Sequence, residues 1–210
     1  MHSPRPLAAT VAFALVLWFT IFLVIGASGA VASLRPPLPQ VVLAALVLIL
    51  LAACAVSHSL RDWLKAIPLE SLIALHLVRF VGVYFLWLHA RGQLPFAFAI
   101  PAGWGDIAVA TSASLLLLTR PQGRRAYLAW NALGMVDILF VVITAARLAI
   151  ADPAPMAAML KLPLSLLPTF VVPLVIFTHI VIFIRLLGTH PVQNGNNRPG
   201  TEPERAHLPP

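Results

Sequence analysis

Six polar side chains stand inside otherwise apolar stretches of this chain: His76, Arg79, Asp106, Asn131, Asp137 and His179. A guanidinium with two carboxylates is a set that pairs charge, carries a proton or holds a charged ligand, and two imidazoles add groups that titrate near neutral pH. The spacings align them. His76 and Arg79 are three residues apart, as are Asn131 and Gly134, and Gly134 and Asp137, so on helices each set forms a stripe on one face. Gly103, Asp106, Ala110, Ala113 and Ser114 form a small-residue stripe that lets a neighbouring helix approach closely, which puts the Asp106 carboxylate on a packing face.

Two readings of the Arg79, Asp106 and Asp137 set stay open at this point. It is either a staple that fixes helix register, or a site that handles a proton or a small ligand. The histidines leave three readings open. His76 and His179 fall at a similar level on different helices and suit axial ligation of a b-type haem, ligation of a metal with an aspartate as third group, or plain interior hydrogen bonding. A second haem level is not evident, because His89 lies at the outer end of its span and His58 at the inner end of span two. The pattern selects no particular cofactor and assigns no catalytic residue.

The elements that must position these residues follow from composition. The chain has 210 residues, 60% hydrophobic and 10% charged, against roughly 25% charged in soluble domains. Runs 6–34, 36–60 and 162–184 contain no Asp, Glu, Lys or Arg. Each exceeds the roughly 20 residues of helix needed to cross a hydrocarbon core of about 30 Å. The expected fold is therefore an all-α membrane protein, a six-helix antiparallel bundle with spans at about 8–32, 40–59, 68–90, 97–118, 126–148 and 162–186. It forms one transmembrane domain over residues 1–187, followed by a Pro-, Asn- and charge-rich tail, 188–210, that is expected to be disordered. Spans one and two carry nothing ionisable in their interiors, so an apolar hairpin precedes a polar four-helix unit. Counting along the helices, Arg79, Asp106 and Asp137 all fall near the midplane. There a charge costs at least about 2.5–3.5 kcal/mol to insert, and Arg79 is expected to contact one of the two acids. Pro163, Pro168 and Pro173 are expected to kink span six and free carbonyls to line a pocket.

The net charge of +7 would point to nucleic acid in a soluble protein, but the basic residues sit in the connections between apolar runs, and no nucleic-acid partner is expected. With six spans, one side collects Arg5, Arg61, Lys65, Arg120, Arg124, Arg125, Arg185, Arg198 and Arg205, and the other Arg35, Arg91, Arg147 and Lys161. That bias predicts cytoplasmic termini. Ala27-Ser28-Gly29-Ala30-Val31-Ala32 after an apolar run resembles a signal-peptide cleavage region, yet the run is longer than the roughly 7–15 residues of a signal core, which favours an uncleaved anchor. The lone Cys54 makes no internal disulfide and reads as a small packing residue.

His76-Leu77-Val78-Arg79, Gln93-Leu94-Pro95, Ala102-Gly103-Trp104-Gly105-Asp106, the stretch from Asn131 to Asp137, and Leu167-Pro168-Thr169-Phe170 through Pro173 to His179 resemble the pattern of a family of small uncharacterised bacterial multi-pass integral membrane proteins. The resemblance covers about residues 68–187, with the N-terminal hairpin and the tail outside it. It implies a bacterial cytoplasmic-membrane protein and no particular chemistry.

No phosphate-binding lysine loop, G-x-S-x-G elbow, H-E-x-x-H or C-x-x-C is present. Three classes remain: a membrane protein that binds or transports a small molecule or a proton at the Arg/Asp/His interior, a membrane redox or hydrolytic enzyme using His76 and His179 with haem or metal, and a structural subunit of a membrane assembly.

Overall fold

The computed structural model describes residues 4–188, and among them every regular element is helical. In order these are α1 (Pro4–Ala27), α2 (Leu38–Val56), α3 (His58–Ala66), α4 (Leu69–Leu75), a 3₁₀ stretch (His76–Val81), α5 (Gly82–Ala90), α6 (Phe96–Thr119), α7 (Arg124–Ala151), a second 3₁₀ segment (Ala154–Leu160), a π turn (Leu167–Val171) and α8 (Val172–Gly188). Six helical stretches are long and apolar enough to cross a membrane: Leu7–Ala27, Leu38–Val56, Leu69–Ala90, Phe96–Thr119, Arg124–Ala151 and Leu167–Gly188. The expected tail lies outside the described residues from 189 onward, and Gly188 itself closes α8.

Three boundaries differ from the expected ones, each for a local reason. The first helix stops at Ala27 because Gly29 turns the chain with a positive φ of 79° and the Ser28 hydroxyl donates to the Ile25 carbonyl, taking a group the helix would otherwise leave open. The second stops at Val56 because Ser57 starts a new helix, its hydroxyl accepting from the Leu60 N–H. The sixth begins at Leu167, so Pro163 lies before it, Pro168 sits in the π turn and Pro173 is the second residue of α8. The prolines thus shape the entry of the last span rather than its middle.

The short α3 occupies what reads in sequence as a charged break. Leu60, Trp63, Leu64 and Ile67 pack on the core while Asp62 and Lys65 pair in the open. Arg61 Nη1 donates to the Cys54 carbonyl at 2.8 Å and to that of Ala55, closing the end of α2. Arg185 Nη1 does the same for α3, donating to the Ile67 carbonyl at 2.6 Å.

The division into an apolar hairpin and a polar unit is visible in the packing. No residue is buried in the apolar windows of the first two spans, against 39%, 33%, 17% and 50% in the last four, so the core belongs to spans three to six. The third span packs on α6, α6 on α7, α7 on α8 and α8 back on α4, which closes a ring of four. α2 lies against α8 and the π turn, and α1 touches the π turn and α3. Trp18 fixes that last contact: its Nε1–H donates to the Thr169 carbonyl at 3.0 Å, and its ring meets Phe170 edge-on.

Candidate functional site

The 3₁₀ stretch in the third span decides how the polar residues meet. With three residues per turn, positions i and i+3 eclipse, so His76 and Arg79 stack one above the other and both enter the core, at 0% and 2% exposure. On α6 the Gly103-Trp104-Gly105-Asp106 sequence works residue by residue. A Cβ on Gly82 would collide with the Gly103 carbonyl, and one on Gly103 would meet Leu86 at 2.8 Å, so these glycines bring the two backbones together. A Cβ on Gly105 would collide with the Asp137 carboxylate, so that glycine admits Asp137 of α7. Asp106 then faces the third span and Trp104 faces outward.

The result is a closed charge cluster. Arg79 Nε–H donates to Asp106 Oδ1 at 2.6 Å, Nη2–H donates to Asp137 Oδ2, and Nη1–H donates to the Gly134 carbonyl at 2.9 Å. The guanidinium fork suits this arrangement because its donors stand on three separate nitrogens, each serving a different acceptor, where an ammonium has all its donors on one atom. Both acids contact Arg79, so the expected contact with Asp106 or Asp137 is present. Their surroundings differ: the Asp106 side chain is 5% exposed and that of Asp137 19%.

Beside this cluster lies a cavity of about 280 Å³ whose wall is almost wholly apolar. Pro36, Pro39 and Leu43 come from α2 and its entry, Val142 and Ala146 from α7, and Pro168 from the π turn, while Arg79 and Asp106 stand where the polar cluster meets it. Gln40 also lines it, and its Oε1 is buried with no hydrogen-bond partner. α2 therefore contributes a wall to the site, although its sequence carries nothing ionisable.

The histidines form a second cluster on the other side of Gly134. Asn131 Nδ2 donates to the His179 backbone carbonyl at 3.0 Å, which orients the amide so that Oδ1 accepts from His179 Nδ1–H at 2.8 Å. The Thr178 hydroxyl donates to the Leu174 carbonyl at 2.8 Å, so at 3.3 Å it is the acceptor of His76 Nε2–H. Trp130, whose Nε1–H donates to the Val109 carbonyl, stands edge-on to His76. His76 Nδ1 and His179 Nε2 are left buried with no hydrogen-bond partner among the described residues. A Cβ on Gly134 would meet His179 Cε1 at 2.6 Å, so this one glycine seats the imidazole and, through its carbonyl, the guanidinium.

His76 and His179 lie side by side, with ring centroids 4.1 Å apart and planes at 47°. Both aspartates are engaged by Arg79, and among the described residues no three His, Cys, Asp or Glu converge.

All six sequence-designated residues thus lie in the ring of four helices, but in two groups, Arg79 with Asp106 and Asp137, and His76 with Asn131 and His179. Gly82, Trp130 and Gln40 are the residues of these sites that the sequence did not bring forward. Of these only Gly82 carried a signal, as a residue without a side chain at the level of the buried charges.

A family model described as a domain of unknown function (DUF8737) matches residues 36–187. The chain belongs to that family. No curated protein and no solved structure matches it. The matched stretch holds every residue of both clusters and the whole cavity wall, from Pro36 to Val175, and it leaves out α1.

Proposed function

We propose that this is a multi-pass protein of the bacterial cytoplasmic membrane, its six spans alternating in direction and both termini cytoplasmic, that binds a small molecule in the cavity between α2, α7 and α8. The observation that carries the reading is the cavity itself: an apolar chamber that ends on the buried Arg79 and Asp106. Sites for small molecules are commonly apolar chambers with a few placed polar groups. The nine-to-four bias of basic residues supports the orientation.

The competing classes gain less. A register staple explains why Arg79 meets two acids but gives no role to the cavity beside them. A redox or hydrolytic enzyme built on His76 and His179 loses its support where the two rings stack on each other. The test is to fill the chamber. Ala146→Trp places an indole on its wall, and purified wild-type and variant protein are compared by native mass spectrometry for co-purifying small molecules. A bound species present on the wild type and absent from the folded variant supports the reading; equal occupancy of both refutes it.

A further inference from the structure

The wall and the charges of the cavity together restrict what it accepts. We infer that its occupant is a single-chain amphiphile whose head donates hydrogen bonds and is not anionic, an ammonium in preference to a hydroxyl, seated on Asp106 and Gln40. The inference rests on the cavity being the binding site.

Charge comes first. Among the described residues Arg79 and Asp106 are the only charged ones on the cavity wall, and Asp137 stands behind them on the same guanidinium. One positive and two negative groups sum to minus one when all are ionised. Of the five guanidinium N–H groups, three point at Asp106, Asp137 and the Gly134 carbonyl. A carboxylate or phosphate head would therefore meet a cation already engaged and an aspartate of its own sign. An ammonium meets the surplus negative charge instead, in a medium where few other groups screen it.

Hydrogen bonding points the same way. Gln40 Oε1 is an acceptor, buried on this wall and without a partner among the described residues, and an ionised Asp106 offers acceptors only. Leaving a buried acceptor unpaired is unfavourable, so a donor on the ligand removes that penalty while an acceptor adds to it. The rest of the wall is Pro, Val, Leu, Ala, Ile, Phe and Met, which suits an alkyl body. A cavity of about 280 Å³ leaves room for such a body.

The experiment uses the full chain in a nonionic maltoside detergent and three probes of one length: decylamine, decanol and decanoate, titrated by calorimetry. Decylamine is expected to bind at least tenfold tighter than decanoate, with decanol between them. Gln40→Leu, a change on α2 away from the buried core, should weaken decylamine and decanol three- to tenfold. Asp106→Asn should erase the preference of amine over alcohol; if that variant does not fold, the Gln40→Leu result and the wild-type ranking decide. Decanoate binding as tightly as decylamine overturns the head-group inference and leaves the cavity standing as a site. If all three probes bind Ala146→Trp as they bind wild type, the cavity reading falls and this inference with it.

Discussion

Removing Arg79 should do more harm than removing it together with the acid it pairs with. Arg79→Leu takes away the three hydrogen bonds the guanidinium donates and leaves Asp106, 5% exposed, facing Asp137 with no cation between them. Uncompensated buried charges of this sort cost about 3–5 kcal/mol. In Arg79→Leu/Asp106→Asn the more deeply buried charge is gone, and what remains is the half-relieved Asp137, 19% exposed, with lost hydrogen bonding at about 0.5–1.5 kcal/mol per bond. The coupling between the two positions should therefore be about 2–3 kcal/mol, or roughly 30- to 150-fold in the unfolding equilibrium. The corresponding cycle with Asp137→Asn should give a smaller coupling, since the Asp137 side chain is 19% exposed and its charge is less confined. Arg79→Lys separates charge from shape: it keeps the positive charge but cannot fork to two carboxylates and a carbonyl, and it should fall between wild type and Arg79→Leu.

The assay is a denaturant titration of detergent-solubilised protein read by tryptophan fluorescence. Trp130, 5% exposed against His76, reports the core directly. If the double variant loses the sum of what the singles lose, the charges do not act as a pair and the account of the cluster is wrong. Coupling at Asp137 larger than at Asp106 would refute the weighting by burial.

Three further outcomes are expected. Gly82→Ala sets a methyl against the Gly103 carbonyl, which is backbone and cannot swing away, so it should cost about 1–3 kcal/mol, whereas Gly105→Ala presses only on the movable Asp137 carboxylate and should cost less; equal losses in the same titration would show that the backbone approach is not the constraint. Asn131→Leu strips the His179 Nδ1–H and carbonyl of their partners at once and should cost about 2–4 kcal/mol, while a variant as stable as wild type would show that the amide clamp does not hold the ring. A reporter fused after Arg205 should be active only in its cytoplasmic form, and activity of an export-dependent reporter there would overturn the proposed orientation.

What was legible in the sequence is what the solvent of a span penalises. Continuous apolar runs mark the six long helices, and a charge inside such a run needs a partner, which is why Arg79, Asp106 and Asp137 could be matched before any geometry was known. What was not legible does not alter hydropathy. The 3₁₀ stretch at His76–Val81 and the π turn at Leu167–Val171 lie inside apolar runs that read as plain α-helix, yet the first stacks His76 on Arg79 and the second exposes the Thr169 carbonyl to Trp18. α3 was lost for the opposite reason. Its Arg61, Asp62 and Lys65 look like a break, and only the spacing of Leu60, Trp63, Leu64 and Ile67 shows a face. Equal depth on two helices did not fix the distance between the two imidazoles, whose ring centroids lie 4.1 Å apart with His179 held by the reciprocal bonds of Asn131.

The cavity is the hardest part to read, because the residues of its wall are of the same kinds as residues that face outward elsewhere on these helices. Its boundary becomes meaningful when it is laid against the family match. The matched stretch begins at Pro36, the first residue of the wall, and runs past Val175, the last, so the unit that the family model spans is the ring of four together with α2. A staple of Arg79, Asp106 and Asp137 would need only the third span, α6 and α7. α2 contacts none of those three residues through a hydrogen bond or ion pair among the described residues, buries no residue of its own, and still supplies Pro39, Gln40, Leu43 and Ala44 to the chamber. α2 also packs Leu43, Val47, Leu50, Leu51 and Cys54 against the core, and under the proposed function its further part is to wall the chamber, with Gln40 as its one amide there.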